Sequence, residues 1–242
     1  MIKTQLIDTA IASSLTQSGG SITLQGLDGK RADVIGVTNL ITPRQDITVS
    51  GDRVDGQFLI TSAGTGRVGS TNLGGTVKIQ ADNFVTLGGA STNGEPIDIS
   101  SSLTQRNGVI QSGLLVTNGG TVNLKATKIN AGSVWTSATG TNATNDTAGD
   151  ITITAQSELT ANRLEANAKG NGKAGTVRVI NNTGDITIDN IQAYGGASGG
   201  DAILDGDRVR IQGSGIDLLN RISNTPYNFT SIHAGNSISI TH

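Results

Sequence analysis

The chain contains no cysteine, so neither a disulfide framework nor a thiolate metal site is open to it. Aromatic mass is scarce: one tryptophan, two tyrosines and three phenylalanines in 242 residues. A spherical core filled by large side chains is therefore not expected. Charged residues supply 15% of the chain and the formal net charge is −2, with no block of like charge. A chain of that kind sets up no long-range field, which argues against nucleic acid or an anionic membrane surface as a partner. No stretch approaches the ~18 apolar residues of a spanning helix, so membrane insertion is not expected. Met1 is followed by Ile2, Lys3, Thr4 and Gln5 rather than by the apolar segment of a signal peptide. Any export signal is expected to have been removed or to lie outside this sequence.

What the chain does have is glycine, 34 residues, about twice the usual ~7% share. It also has Val, Ile and Thr in short alternating runs, a pattern foreign to disordered segments. These runs repeat. Gly120 opens GTVNLKA, Gly149 opens GDITITA, Gly175 opens GTVRVIN and Gly200 opens GDAILDG, at spacings of 29, 26 and 25 residues. An earlier copy, GTVKIQA, opens at Gly75, 45 residues before Gly120. That longer gap fits either two short units or one unit with an insertion around Gly88 to Gly113. The pentapeptide SSLTQ, at 13–17 and again at 101–105, suggests that the N-terminal third is built from the same kind of unit.

Within each copy the alternation is strand-like. Val122 and Leu124, Ile151 and Ile153, and Val177 and Val179 fall on one face, with Asn123, Thr152 and Arg178 on the other. A second short run follows, exemplified by Lys128-Ile129-Asn130-Ala131, and then a third at Val134, Leu164 with Ala166, Ile191 with Ala193, and Ile216. Three short strands separated by Gly, Asn, Asp and Ser corners form a unit that cannot bury its own apolar edge. Stacking unit on unit lines Val on Val and Ile on Ile. The expected fold is all-β, a right-handed parallel β-helix with coils of about 25–29 residues. Roughly nine coils at a strand spacing of about 4.8 Å give a rod on the order of 45 Å long. Residues 1–242 are read as one domain, with less regular coils over 1–119 and regular ones over 120–242. The best helix candidate is Thr4 to Leu15, with an early strand or a cap as the alternatives.

The pattern G-[TD]-[VI]-x-[IVL]-x-A, followed by SELTANRLEANA at 157–168, resembles the repeats of filamentous-haemagglutinin-like exoproteins of bacterial two-partner secretion, in the style of their cyanobacterial relatives. The resemblance covers 120–242 well and 1–119 loosely. It implies the right-handed β-helix named above, export from the cell, and use as an extracellular stalk or adhesive surface. The lack of cysteine suits a bacterial protein that crosses membranes unfolded. The asparagine-proline motifs of that family's secretion domain are missing, since the only prolines are Pro43, Pro96 and Pro226. The chain therefore resembles an internal or non-targeting segment, secreted or displayed at the cell surface, and no cofactor is implied.

Several residue groups are candidates for chemistry. The glycines of GGTVNLKA lack the spacing of a phosphate loop and precede a strand, not a helix; they read as corners, where glycine tolerates positive φ. Asp185, Asp189, Asp201, Asp205 and Asp207 form the one dense acidic group. They would be the carboxylates of a polysaccharide-degrading β-helix enzyme, the alternative function. Yet Asp is a standard corner residue, and neither the Asp-Asp nor the Gly-His-Gly element of polygalacturonase-like sites occurs. His233 and His242 stand alone. Asn145, Asp146 and Asp150 offer hard oxygens for calcium, in a spacing that matches neither an EF-hand nor the GGxGxD repeat; they read as a solvated loop, and no metal is expected. Thr152 and Thr154 form a TxT unit, but Asn123 and Arg178 interrupt it on neighbouring coils, against an ice-binding array.

Trp135 is the candidate that breaks the repeat. Aligning the coils puts Val134 inward with Leu164 and Ile191, and so puts Trp135 outward in a column with Glu165 and Gln192. An outward Trp beside polar side chains is a stacking platform for a sugar ring, with Glu165 and Gln192 as hydrogen-bonding neighbours. The bland alternative is that the loop from Ala138 to Thr147 folds over it. The expected function is a non-catalytic stalk or adhesion segment meeting a cell-surface glycan or protein, with a purely structural rod as a further alternative. The final run SISIT, 237–241, reads as a strand edge that needs either a covering loop or further coils of a longer chain.

Overall fold

The computed structural model describes residues 2–5, 9–16, 20–25, 32–61, 74–102, 108–138, 147–169, 172–195, 199–217 and 230–240. These residues are all-β, with no helix among them. Fourteen strands join in one sheet: β1 (Ile2–Gln5), β2 (Thr9–Thr16), β3 (Ile22–Gln25), β4 (Ala32–Ile41), β5 (Ile47–Ile60), β6 (Val77–Ser91), β7 (Ile97–Ser100), β8 (Val109–Val116), β9 (Val122–Trp135), β10 (Ile151–Glu165), β11 (Val177–Asn181), β12 (Asp185–Gln192), β13 (Ala202–Asp217) and β14 (Thr230–Ile240). The segment Thr4 to Leu15 contributes the end of β1 and most of β2, so the strand alternative holds there and the helix does not. Its backbone pairs in parallel with β3 and β4, and tertiary pairing overrides a partial helical period.

Every pairing is parallel. One ladder runs Ile2, Ile22, Ile47, Val77, Ile97, Val122, Ile151, Val177, Ala202 and Thr230, ten rungs separated by 20 to 30 residues. The 45-residue gap before Gly120 is thereby resolved into two rungs, Val77 to Ile97 and Ile97 to Val122, with no insertion. The SSLTQ echo is not a structural repeat: Ser14 pairs with Asn39 late in a rung, whereas the Ser101 amide bonds the Lys125 carbonyl just after a rung's first strand.

Period-two alternation explains the core. Ile22, Ile47, Val77, Ile97, Val122 and Ile151 stack in register, each at most 1% exposed, so the interior is a column of aliphatics in like-on-like contact. Thr121, Asn123 and Lys125 stay on the outer side while Val122, Leu124 and Ala126 are buried. A second buried column is polar. Thr42, Thr61, Thr92, Thr117 and Thr136 sit at the ends of successive rungs, nearly or wholly inaccessible. Each hydroxyl donates to a carbonyl at a nearby corner: Thr42 to Gly20 at 2.9 Å, Thr61 to Gly75 at 2.5 Å, Thr92 to Glu95 at 2.5 Å, Thr136 to Gly149 at 2.6 Å, and Thr117 to Gly120. From Ala166 onward the same position is alanine; the glycine amide still bonds its carbonyl, Gly175 to Ala166 as Gly149 to Thr136, but the hydroxyl is gone.

The corner glycines have two different reasons to be glycine. Gly119 lies at φ 108°, the left-handed region expected of it. Gly120 is not at positive φ; a Cβ there would lie 2.3 Å from the Glu95 carbonyl oxygen of the rung beneath. Close stacking of backbones, rather than a left-handed turn, excludes side chains at the opening glycine.

Candidate functional site

The third strand segments of β8, β9, β10 and β12 build the site. Their outward positions form a register column in which Val116 neighbours Trp135, Trp135 neighbours Glu165, and Glu165 neighbours Gln192. Inward neighbours Val134, Leu164 and Ile191 are fully buried. The three residues singled out in the sequence are thus brought together, on consecutive rungs.

A fourth residue, Arg163, organises them. Its guanidinium lies over the Trp135 ring, 5.9 Å from the ring centroid, within the range of a cation–π contact. Arg163 Nη2 meets Glu165 Oε2 at 2.7 Å and donates to Gln192 Oε1 at 2.8 Å. Ser137 Oγ donates to Glu165 Oε1 at 3.0 Å, and Asn167 Nδ2 to Gln192 Oε1 at 3.4 Å. The Asn167 amide donates to Ser137 Oγ at 3.0 Å, and Asn167 Oδ1 accepts from the Tyr194 amide at 3.1 Å. The Glu165 side chain is only 16% exposed. Its oxygens serve the protein, which changes its expected role: Glu165 fixes Arg163, and Arg163 with Gln192 fixes the surroundings of the ring. The surface left for a ligand is the half-buried Trp135 and its neighbours. Two buried donors, Trp135 Nε1 and Arg163 Nε, have no hydrogen-bond partner among the described residues.

Sequence reasoning missed Arg163, although it stands within SELTANRLEANA. The signal was its place two residues before Glu165 on the rung next to Trp135, where the chain bends and successive side chains both face outward. The loop over 139–146, which was the alternative cover for Trp135, lies outside the described residues.

Among the described residues the acidic candidates do not gather into a group of three, although Asp185 and Asp207 line one groove. Asp185 is gripped by Arg208 of the next rung, with Nε to Oδ1 at 2.9 Å and Nη2 to Oδ2 at 2.5 Å. The Arg208 hydrogen bond holds the Asp185 carboxyl below its ordinary value. Asp189 and Asp205 are exposed on separate strands. Lys128 pairs with Glu158 at 2.6 Å, so that Lys128, Glu158, Asp185 and Arg208 follow one another on consecutive rungs as two ion pairs with their carboxylates adjacent. A shallow groove of about 410 Å³ runs beside them, lined by Ser157, Thr160, Asp185, Thr187 and Asp207 among others.

Among the calcium candidates, Asn145 and Asp146 lie outside the described residues. Asp150 Oδ1 accepts from the Thr176 amide at 2.7 Å, as Asp46 Oδ1 accepts from the Thr76 amide at 2.8 Å. In both cases a carboxylate satisfies the backbone of the next rung. Among the described residues no group of three His, Cys, Asp or Glu is placed to hold a metal ion. Thr152 lies between Asn123 and Arg178 in register, the interruption read from the sequence. No family model, curated protein or solved structure matches the chain.

Proposed function

We propose that this chain is a segment of a secreted, haemagglutinin-like surface protein, wound as a right-handed parallel β-helix and serving as a stiff, non-catalytic support whose outer face binds glycan. Its ladders of parallel rungs at 20 to 30 residue intervals favour that winding. The observation that carries the function is the Trp135 cluster. The chain's single tryptophan is placed on the outer face, and its surroundings are immobilised by Arg163, Glu165 and Gln192 drawn from the next two rungs. A clamped aromatic surface loses little entropy on binding a sugar ring. The non-catalytic reading is supported by Asp185, whose two carboxylate oxygens are both engaged by Arg208, a pairing that favours the ionised form over that of a general acid.

The test is a glycan array probed with the wild type and with Trp135→Ala. Retention by at least one glycan class, lost in the variant, is expected. Binding that the substitution leaves unchanged, or a wild type that retains nothing, would overturn the proposal.

A further inference from the structure

Phe58 and Leu114 are the two large hydrophobic side chains that stand out into solvent among the described residues, at 50% and 41% exposure. They are not scattered. Phe58 pairs with Gly89, and Gly89 pairs with Leu114, so the two apolar side chains flank a rung that has no side chain at that position. One step along the same strands, Ile60, Ser91, Val116 and Trp135 follow one another in register. An outward apolar strip therefore crosses four rungs, about 14 Å from the Phe58 rung to the Trp135 rung at ordinary strand spacing, and it leads into the Trp135 cluster.

The chemistry around the strip restricts what fits it. Its outward positions across these rungs, Gln57 to Ile60, Gly88 to Ser91, Gly113 to Val116 and Gly132 to Trp135, contain no charged residue. Charge returns only on the following rung, with Arg163 and Glu165. Along one margin Asp55, Thr86, Gln111 and Asn130 lie in register; beyond the Asp55 carboxylate, which Arg53 pairs, the row is of hydroxyl and amide groups. An uncharged apolar floor with a hydroxyl and amide margin matches a pyranose, whose ring faces are apolar and whose edge carries hydroxyls. A nucleic acid or an acidic glycan would find no cation on the strip itself; Arg53, on the Phe58 rung, is held by Asp55.

We infer that the strip from Trp135 to Phe58 is a track for a neutral, extended polysaccharide chain lying along the stack, with about one sugar unit per rung. This rests on the glycan-binding reading of Trp135 and adds to it a chain-length requirement and a direction.

The test is calorimetric titration of the full chain with the di-, tetra- and hexasaccharides of the cello-, chito- and laminari- series. It uses the wild type, Phe58→Ala, Leu114→Ser, Ser91→Lys and Trp135→Ala. The variants alter outward positions, and circular dichroism with a thermal melt confirms that each is folded. Affinity is expected to rise from disaccharide to hexasaccharide in one series. Phe58→Ala and Ser91→Lys should each weaken the hexasaccharide about tenfold while leaving the disaccharide unchanged, and Trp135→Ala should weaken both. Hexasaccharide affinity untouched by the Phe58, Leu114 and Ser91 variants but lost with Trp135→Ala overturns the track and leaves the Trp135 reading standing. Binding indifferent to Trp135→Ala overturns both. Concentration-dependent self-association of the wild type in sedimentation, abolished by Phe58→Ala, would instead assign the strip to a second copy of this chain and overturn the track.

Discussion

Thr117 shows how a polar side chain comes to be buried between layers of aliphatics without penalty. Its hydroxyl is wholly inaccessible and donates to the Gly120 carbonyl, closing the corner that leads to the next rung. Replacing it by valine keeps the shape but leaves that carbonyl without its donor in a site closed to water. The cost of such an orphaned group is about 1–3 kcal/mol. Thr117→Val is therefore expected to lower the free energy of unfolding by that amount in a denaturant titration; an unchanged midpoint would show that the hydroxyl does not matter. Gly149 is governed by sterics instead. A Cβ there would lie 2.0 Å from the Gly120 carbonyl oxygen, so Gly149→Ala should force the rungs apart at that corner, at a cost of about 1–3 kcal/mol or more. A melt at the wild-type temperature would show that the corner is looser than its geometry. This steric origin could not be read from the sequence, where a corner glycine first suggests positive φ.

At the scale of strands, the neighbouring rungs are also linked on the outside. Arg208 on β13 holds Asp185 on β12 by two contacts. Because the Asp185 pKa is lowered from 3.8 in the folded state, its contribution is present above the unfolded value and is lost as pH falls through the folded one. The pair is exposed, so the effect is small and screened by salt. Wild type and Arg208→Gln should show equal pH dependence of stability above about pH 4 and diverge below it, the wild type losing more; parallel curves throughout would remove the pair from the account.

Most strands were legible because a glycine followed by alternating Val, Ile or Thr marks where a rung begins. The rung at Ile97 was not, since Glu95 and Pro96 stand where the rungs at Val77, Val122, Ile151, Val177 and Ala202 carry glycine and threonine or aspartate. The Glu95 carbonyl still accepts the Thr92 hydroxyl, so the corner is conserved in geometry but disguised in sequence. The outward column of Trp135, Glu165 and Gln192 was legible from register alone. Arg163 was not, because the bend before the third strand interrupts strict alternation and turns two successive side chains outward.

At the scale of the whole molecule, the packed interior and the proposed binding face are separated in space. Like-on-like aliphatic columns and threonine-bonded corners occupy the interior, where each rung is held by its neighbours. The outer positions are free to vary without disturbing that core. They carry the Arg163 clamp on Trp135 and the apolar strip that runs from it toward Phe58. Because the chain has one tryptophan, emission excited selectively from tryptophan reports on this face alone. The most direct test is to titrate the full chain with neutral hexasaccharides while following that emission. A saturable change with at least one of them, at the affinity found by calorimetry, is predicted. A hexasaccharide that binds by calorimetry while the Trp135 emission stays constant, or a set of which none binds, would contradict the account.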